Sequence, residues 1–205
     1  MTFTFFRNAL SASAVLLLVA GCGTSPPVRY YTLDLPRDER CAAPGATSPS
    51  VRLVGLSLPE GIDRPQLVYR TGANTLVVND AARWGEPLKS ALAGVLAGHL
   101  SRALGCVPVV QRPSGLEENG LKLGVDVQRL DVWPGRAVVL EAVWTLRDKD
   151  KTLTRKSTLE EPLSGDSPEA MVAAQSRAVG RLAKDIAKAL KDNSHHDRQG
   201  ALIAP

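Results

Sequence analysis

Aromatic side chains are scarce in this 205-residue chain, at 4 % of all residues. That scarcity argues against a surface that stacks nucleobases. Blocks of like charge are missing too. The formal charge of +4 is spread along the sequence, without the clustered basic footprint that nucleic-acid binding requires. Histidine and cysteine occur three times each. There is no G-x-G-x-x-G, no P-loop and no H-E-x-x-H pattern, so nothing asks for a nucleotide, a metal or another cofactor. The nearest approach to a hydrolase elbow is Gly55-Leu56-Ser57-Leu58-Pro59, where proline replaces the second glycine of the sharp turn. His99 falls inside an apolar helical pattern and His195 and His196 are adjacent near the end. Without further ligands and an orienting partner they do not make a metal site. These absences leave an enzyme as the weaker reading.

What is present begins at the N-terminus. Arg7 precedes an apolar run from Ala9 to Ala20, which has signal-peptide length and is short for a transmembrane helix. The run ends in Val19-Ala20-Gly21-Cys22, which resembles a bacterial lipobox. The resemblance implies a signal peptide over residues 1–21, cleavage before Cys22 and lipid on its thiol; an uncleaved anchor, or a chance cysteine after a plain signal, is the alternative. Residues 22–29 then form a short tether whose two prolines stiffen it. Cys41 and Cys106 remain. An exported domain allows them to pair as a disulfide, and two unrelated small apolar residues are the alternative.

The body of the chain, residues 30–192, reads as one domain. Tyr31, Leu33 and Leu35 alternate with polar neighbours and predict a strand ending at Pro36. A strand follows from Val51, stopped by Pro59, and then a hairpin around Gly72-Ala73-Asn74. The period then changes. Leu88, Leu92, Val95, Leu96, Leu100 and Leu104 recur at helical spacing, with Pro87 opening the helix and Gly105 placed to close it. Gly94 and Gly98 share one face of that helix and suggest a close backbone approach to a sheet or a neighbouring subunit. A short strand at "CVPVV" precedes a three-strand meander with inward sets Leu121, Leu123, Val125, Val127 and Val138, Leu140, Ala142, Trp144, Leu146. The last helix starts at Ser167-Pro168 and buries Met171, Val172, Val179, Leu182, Ile186 and Leu190. Its other side carries Arg177, Arg181, Lys184, Lys188 and Lys191, either a solvated face or one that meets lipid headgroups. Residues 193–205 read as a disordered tail. The expected fold is α+β: a mixed, largely antiparallel sheet against two long amphipathic helices.

The segment "YYTLDLP" soon after a lipobox cysteine, and the stretch "LSLPEGIDRPQLVYRTGANTLVVNDAARWGEPLKSALAGVLAGHLSRAL", resemble the ABC-type transport auxiliary lipoproteins, the family of paraquat-inducible protein C (PqiC/YmbA). The matching positions are Tyr30, Tyr31, Pro59, Tyr69, Asn79, Trp84, Pro87 and Leu88. The resemblance implies a non-catalytic, periplasm-facing lipoprotein of the outer membrane in an MCE- or ABC-type lipid transport system. Its implied partners are an MCE-domain protein and permease subunits, with a ring-like homo-oligomer. Gly23 after the lipidated cysteine fits outer-membrane sorting. A stand-alone lipid- or small-ligand-binding lipoprotein is the alternative, and an envelope hydrolase using Ser57 a third.

Overall fold

The computed structural model describes residues 27–35, 50–111, 120–149 and 151–201, the last nine of them as backbone only. Residues 1–21, expected as a signal peptide, lie outside the described residues with Cys22 and Cys41, as do the side chains of His195 and His196.

Strands β1 (Arg29–Tyr31), β2 (Val51–Ser57), β3 (Gln66–Gly72) and β4 (Thr75–Trp84) come first, followed by helix α1 (Leu88–Ala103). After it come β5 (Val109–Val110), β6 (Leu121–Trp133), β7 (Ala137–Asp148), β8 (Lys151–Pro162) and helix α2 (Pro168–Ala201). The fold is a mixed α+β single domain, and its strands divide into two sheets rather than one. The larger sheet has the order β5-β2-β6-β7-β8 and the smaller β1-β4-β3. Both mix orientations: β2 runs parallel to β5 and β6, and β1 parallel to β4, while the β3–β4, β6–β7 and β7–β8 pairs are antiparallel. The helices pack against each other and against the larger sheet.

The helix limits follow from local chemistry. Pro87 is the N-cap residue of α1 rather than its first helical residue, and its carbonyl accepts from the Ser90 and Ala91 amides. At the other end Gly105 has φ +76, its amide bonds to Arg102 O and the Cys106 amide to Ser101 O. That pair of bonds is a Schellman motif, which needs a residue such as glycine with positive φ just past the cap. Ser167 Oγ accepts from the Ala170 amide, so serine caps α2 and Pro168 takes the first helical position. The helix continues to Ala201, past the expected end near residue 192. No proline or glycine falls between Leu190 and Gln199 to stop it.

Alternation on β7 is as expected, with Val138, Leu140, Ala142, Trp144 and Leu146 all buried. On β6 it changes phase. Leu123, Val125 and Val127 point inward opposite Leu146, Trp144 and Ala142, but a bulge between Val127 and Arg129 makes Leu130 and Val132 the next inward pair. One extra residue moves the following side chains to the other face. Arg129, Asp131 and Trp133 therefore point away from the helices, where Asp131 meets Arg70 of β3. The N-terminal strand is shorter than expected. Only Arg29–Tyr31 pair as strand, although Leu33 is still buried. The segment "CVPVV" yields just the two-residue β5, half-buried.

Candidate functional site

Residues 29–35 form a strap that leads from the tether into the domain. In β1, Tyr31 pairs with Trp84 and Tyr30 with Arg83, and the Gly85 amide donates to Tyr31 O at 2.8 Å. Arg29 and Tyr31 face α2. The Tyr31 hydroxyl donates to Glu169 Oε1 at 2.9 Å, and Arg29 approaches the same oxygen at 3.4 Å. Further on, the Asp34 amide donates to Ser176 Oγ at 3.0 Å, and that hydroxyl donates to Val172 O at 2.9 Å. The spacing is self-consistent. Seven helical residues from Glu169 to Ser176 advance about 10 Å, and three extended residues from Tyr31 to Asp34 cover about the same length. Leu35 finishes the strap against α1: a Cβ at Gly98 would lie 2.4 Å from its Cδ2. Gly98 is thus a site of close approach, but to the Leu35 side chain rather than to a sheet or a neighbouring subunit, whereas a Cβ at Gly94 would meet only Gln111 Nε2, at 4.0 Å.

The ionisation of this contact is tuned. The Glu169 carboxyl lies below its ordinary value, first through its own backbone amide in the opening turn of α2 and then through the Tyr31 hydroxyl. Tyr31 is pushed up, chiefly by burial and then by Glu169. Each effect favours a neutral phenol donating to a carboxylate.

Where the strap ends, a groove of about 1160 Å³ opens between the end of α1 and the length of α2. Its cations include Arg102, Lys184 and Lys188, against Asp34 and Glu161. Two members of the basic face expected on α2 are structural. Arg177 Nε pairs with Glu161 Oε1 at 2.6 Å and its Nη2 donates to Pro162 O at 2.8 Å. Arg181 Nη1 donates to Glu160 O at 2.6 Å and pairs with Glu161 Oε2 at 3.3 Å. They clamp α2 to β8. Lys184 and Lys188 extend the same helix face into the groove.

A second ionic cluster joins the two sheets. Asp131 is only 6 % exposed. Arg70 Nε lies 2.6 Å from its Oδ1, and Arg129 Nε pairs with Oδ2. The Arg70 approach is a close ion pair whose angle falls short of a hydrogen bond. Arg129 also reaches Glu141, which pairs with Lys156 at 2.6 Å. Arg129 is pushed up first by its bond to Asp131, and Glu141 is held down first by Lys156. The Arg70 and Arg136 guanidiniums both approach the Trp133 ring, at 6.0 and 5.6 Å from its centre. The bulge turns Asp131 to the face that β3 covers, so its burial there depends on a contact between the two sheets that the sequence does not show.

The other sequence-selected residues sit in several places. Tyr30, Tyr31, Trp84, Pro87 and Leu88 gather at the junction of β1, β4 and α1, with Trp84 and Leu88 buried. Tyr69 packs on the core from β3. Asn79 Oδ1 accepts from the Ala81 amide within β4, and Pro59 O accepts from the Ile62 and Asp63 amides after β2. These are fold-building contacts, and they do not converge on one cleft. Ser57 Oγ donates to Asp126 in an exposed pair, while His99 packs on α2 at Gly180. Among the described residues no group of three histidine, cysteine or carboxylate side chains is placed to hold a metal, and no helix is long and apolar enough to cross a membrane. Cys106 is disulfide-bonded.

Solved structures share the fold. One crystal structure of an uncharacterized protein matches with TM-score 0.68 and 22 % identity, over 81 % of this chain and 99 % of its own. Protein XCC0632 from Xanthomonas campestris matches with TM-score 0.65 and 18 % identity, over 84 % and 99 %. The PelC dodecamer from Paraburkholderia phytofirmans follows at TM-score 0.39 and 13 % identity, over 70 % and 93 %. Among curated proteins none matches. A family model described as ABC-type transport auxiliary lipoprotein component matches residues 31–187.

Proposed function

The chain belongs to the ABC-type transport auxiliary lipoprotein components, and we propose that it serves as the non-catalytic, lipid-anchored adaptor of a lipid transport system. In this reading acyl chains on Cys22 hold it in the outer membrane facing the periplasm. The domain receives an MCE-domain partner coupled to an ABC-type or related permease. The protein assembles with copies of itself, and Cys41 pairs with Cys106.

The observation that carries this proposal is the strap. Directly after the tether the chain is fastened to both helices, through Tyr31 and Ser176 on α2 and Leu35 on α1. An anchor that pulls on residue 29 therefore acts on the whole domain. The family assignment supplies the transport role, and the scattered placement of the motif residues supports a scaffold rather than a reaction centre. Separation of inner and outer membranes tests the anchoring: wild type should sediment with the outer membrane, and Cys22→Ser should be lost from that fraction.

The groove between the helices favours one second reading, a stand-alone carrier of an anionic lipid or small ligand. Its volume of about 1160 Å³ is large enough for such a molecule. Native mass spectrometry distinguishes the two: bound phospholipid on an isolated monomer favours the carrier, and an empty protein favours the adaptor.

A further inference from the structure

The two adjacent tyrosines of the strap do opposite things. Tyr31 turns inward to Glu169. Tyr30 turns outward and is 69 % exposed, and Val28, two residues earlier, is 43 % exposed. Side chains two apart along an extended chain share a face, so Val28 and Tyr30 form the outward face of the strap. Arg83, the partner of Tyr30 across the parallel pair, stands on that same face and bonds to Asp80 O through Nε. Arg83 is half-buried and held by that bond, but nothing in the packing of the domain accounts for Val28 and Tyr30 standing exposed beside it.

We propose that this face is a contact surface for the membrane that holds the anchor. The inference rests on the lipidation of Cys22 in the preceding proposal. Five residues lie between Cys22 and Val28, and the six steps from one to the other span about 21 Å when fully extended. The anchor therefore keeps Val28 and Tyr30 within a short distance of the lipid headgroups at all times. Tyrosine and arginine suit that layer, since each has an apolar body and a polar tip and settles at the boundary between headgroups and acyl chains. Insertion here would add a second attachment to the acyl anchor and fix the tilt of the domain, because the strap is bonded to α2.

The test uses the full lipidated protein in phosphatidylcholine vesicles containing phosphatidylglycerol, with or without bromine on the acyl chains. Tyr30→Trp places a lipid-quenched fluorophore on the proposed face. Val54→Trp places one at another exposed apolar position, 55 % exposed, and the wild-type signal is subtracted from both. The expected result is loss of emission in brominated vesicles for Tyr30→Trp and no loss for Val54→Trp. Unquenched emission from Tyr30→Trp, in protein whose intact mass carries the acyl chains, overturns the membrane contact while leaving the lipoprotein reading intact. Emission that is blue-shifted yet unquenched also overturns it, because a second protein surface then covers the face. Protein recovered without lipid on Cys22 overturns the anchoring proposal and this one with it.

Discussion

The Tyr31 hydroxyl donates to Glu169 Oε1 at 2.9 Å, joining residues 138 apart in sequence. The bond fastens the first strand to the first turn of the last helix, and its two partners titrate in opposite directions. Glu169 lies below its ordinary 4.5, so its contribution is complete above that value and is lost as the pH falls through the lowered folded value. Tyr31 lies above its ordinary 10.0, so its contribution is complete below that value and is lost as the pH rises through the raised one. The difference in Tm between wild type and Tyr31→Phe should therefore be flat around neutral pH and shrink at both extremes. Calorimetric scans across the pH range measure it.

Asp131 is the buried anion between Arg70 and Arg129. Asp131→Ala leaves Arg70 without its counter-charge and Arg129 with only the longer pair to Glu141. Because Arg129 is partly solvated, a cost of about 2–3 kcal/mol is expected, below the usual loss for breaking a fully buried pair. Adding Arg70→Met removes one orphaned cation and should recover part of it. Urea unfolding of the single and double variants gives the coupling.

Gly94 and Gly98 should respond with opposite signs although they share a helix face. Gly94→Ala meets nothing closer than 4.0 Å and should stabilise by up to about 1 kcal/mol through helix propensity. Gly98→Ala drives a methyl into Leu35, and displacing that side chain should cost about 1–2 kcal/mol. Leu35→Ala in the same chain should relieve the clash. Thermal melts and protease sensitivity of the strap report both effects.

Much of this architecture could be read from local signals. Pro87 and Gly105 mark α1, Ser167-Pro168 opens α2, and Gly72 to Thr75 close the β3–β4 hairpin. Each works through a backbone requirement of its own residue type. The division into two sheets was not legible, because strand pairing is a long-range choice that alternation does not encode. The phase change on β6, by contrast, is written in "VDVQRLDVW", where Leu130 and Val132 fall out of step with Val125 and Val127. The strap was not legible: "YYTLDLP" has strand periodicity, yet after Tyr31 its partners are helix side chains. Arg177 and Arg181 were legible as a basic face, but their service as clamps depends on where β8 lies.

Cys106 is disulfide-bonded, and the proposed partner is Cys41. Peptide mapping without reduction should recover the Cys41–Cys106 pair. A loop of roughly 65 residues would be closed, so Cys41→Ser with Cys106→Ser should lower stability by about 4 kcal/mol in the chain-entropy estimate. Chemical denaturation of the oxidised wild type and the double variant measures that loss.

The adaptor role itself is tested most directly by purifying the lipidated protein from its own cells in mild detergent, with mass spectrometry of what accompanies it. The account predicts a discrete oligomer together with an MCE-domain protein and its permease. A strictly monomeric protein that brings down no transporter component would contradict it.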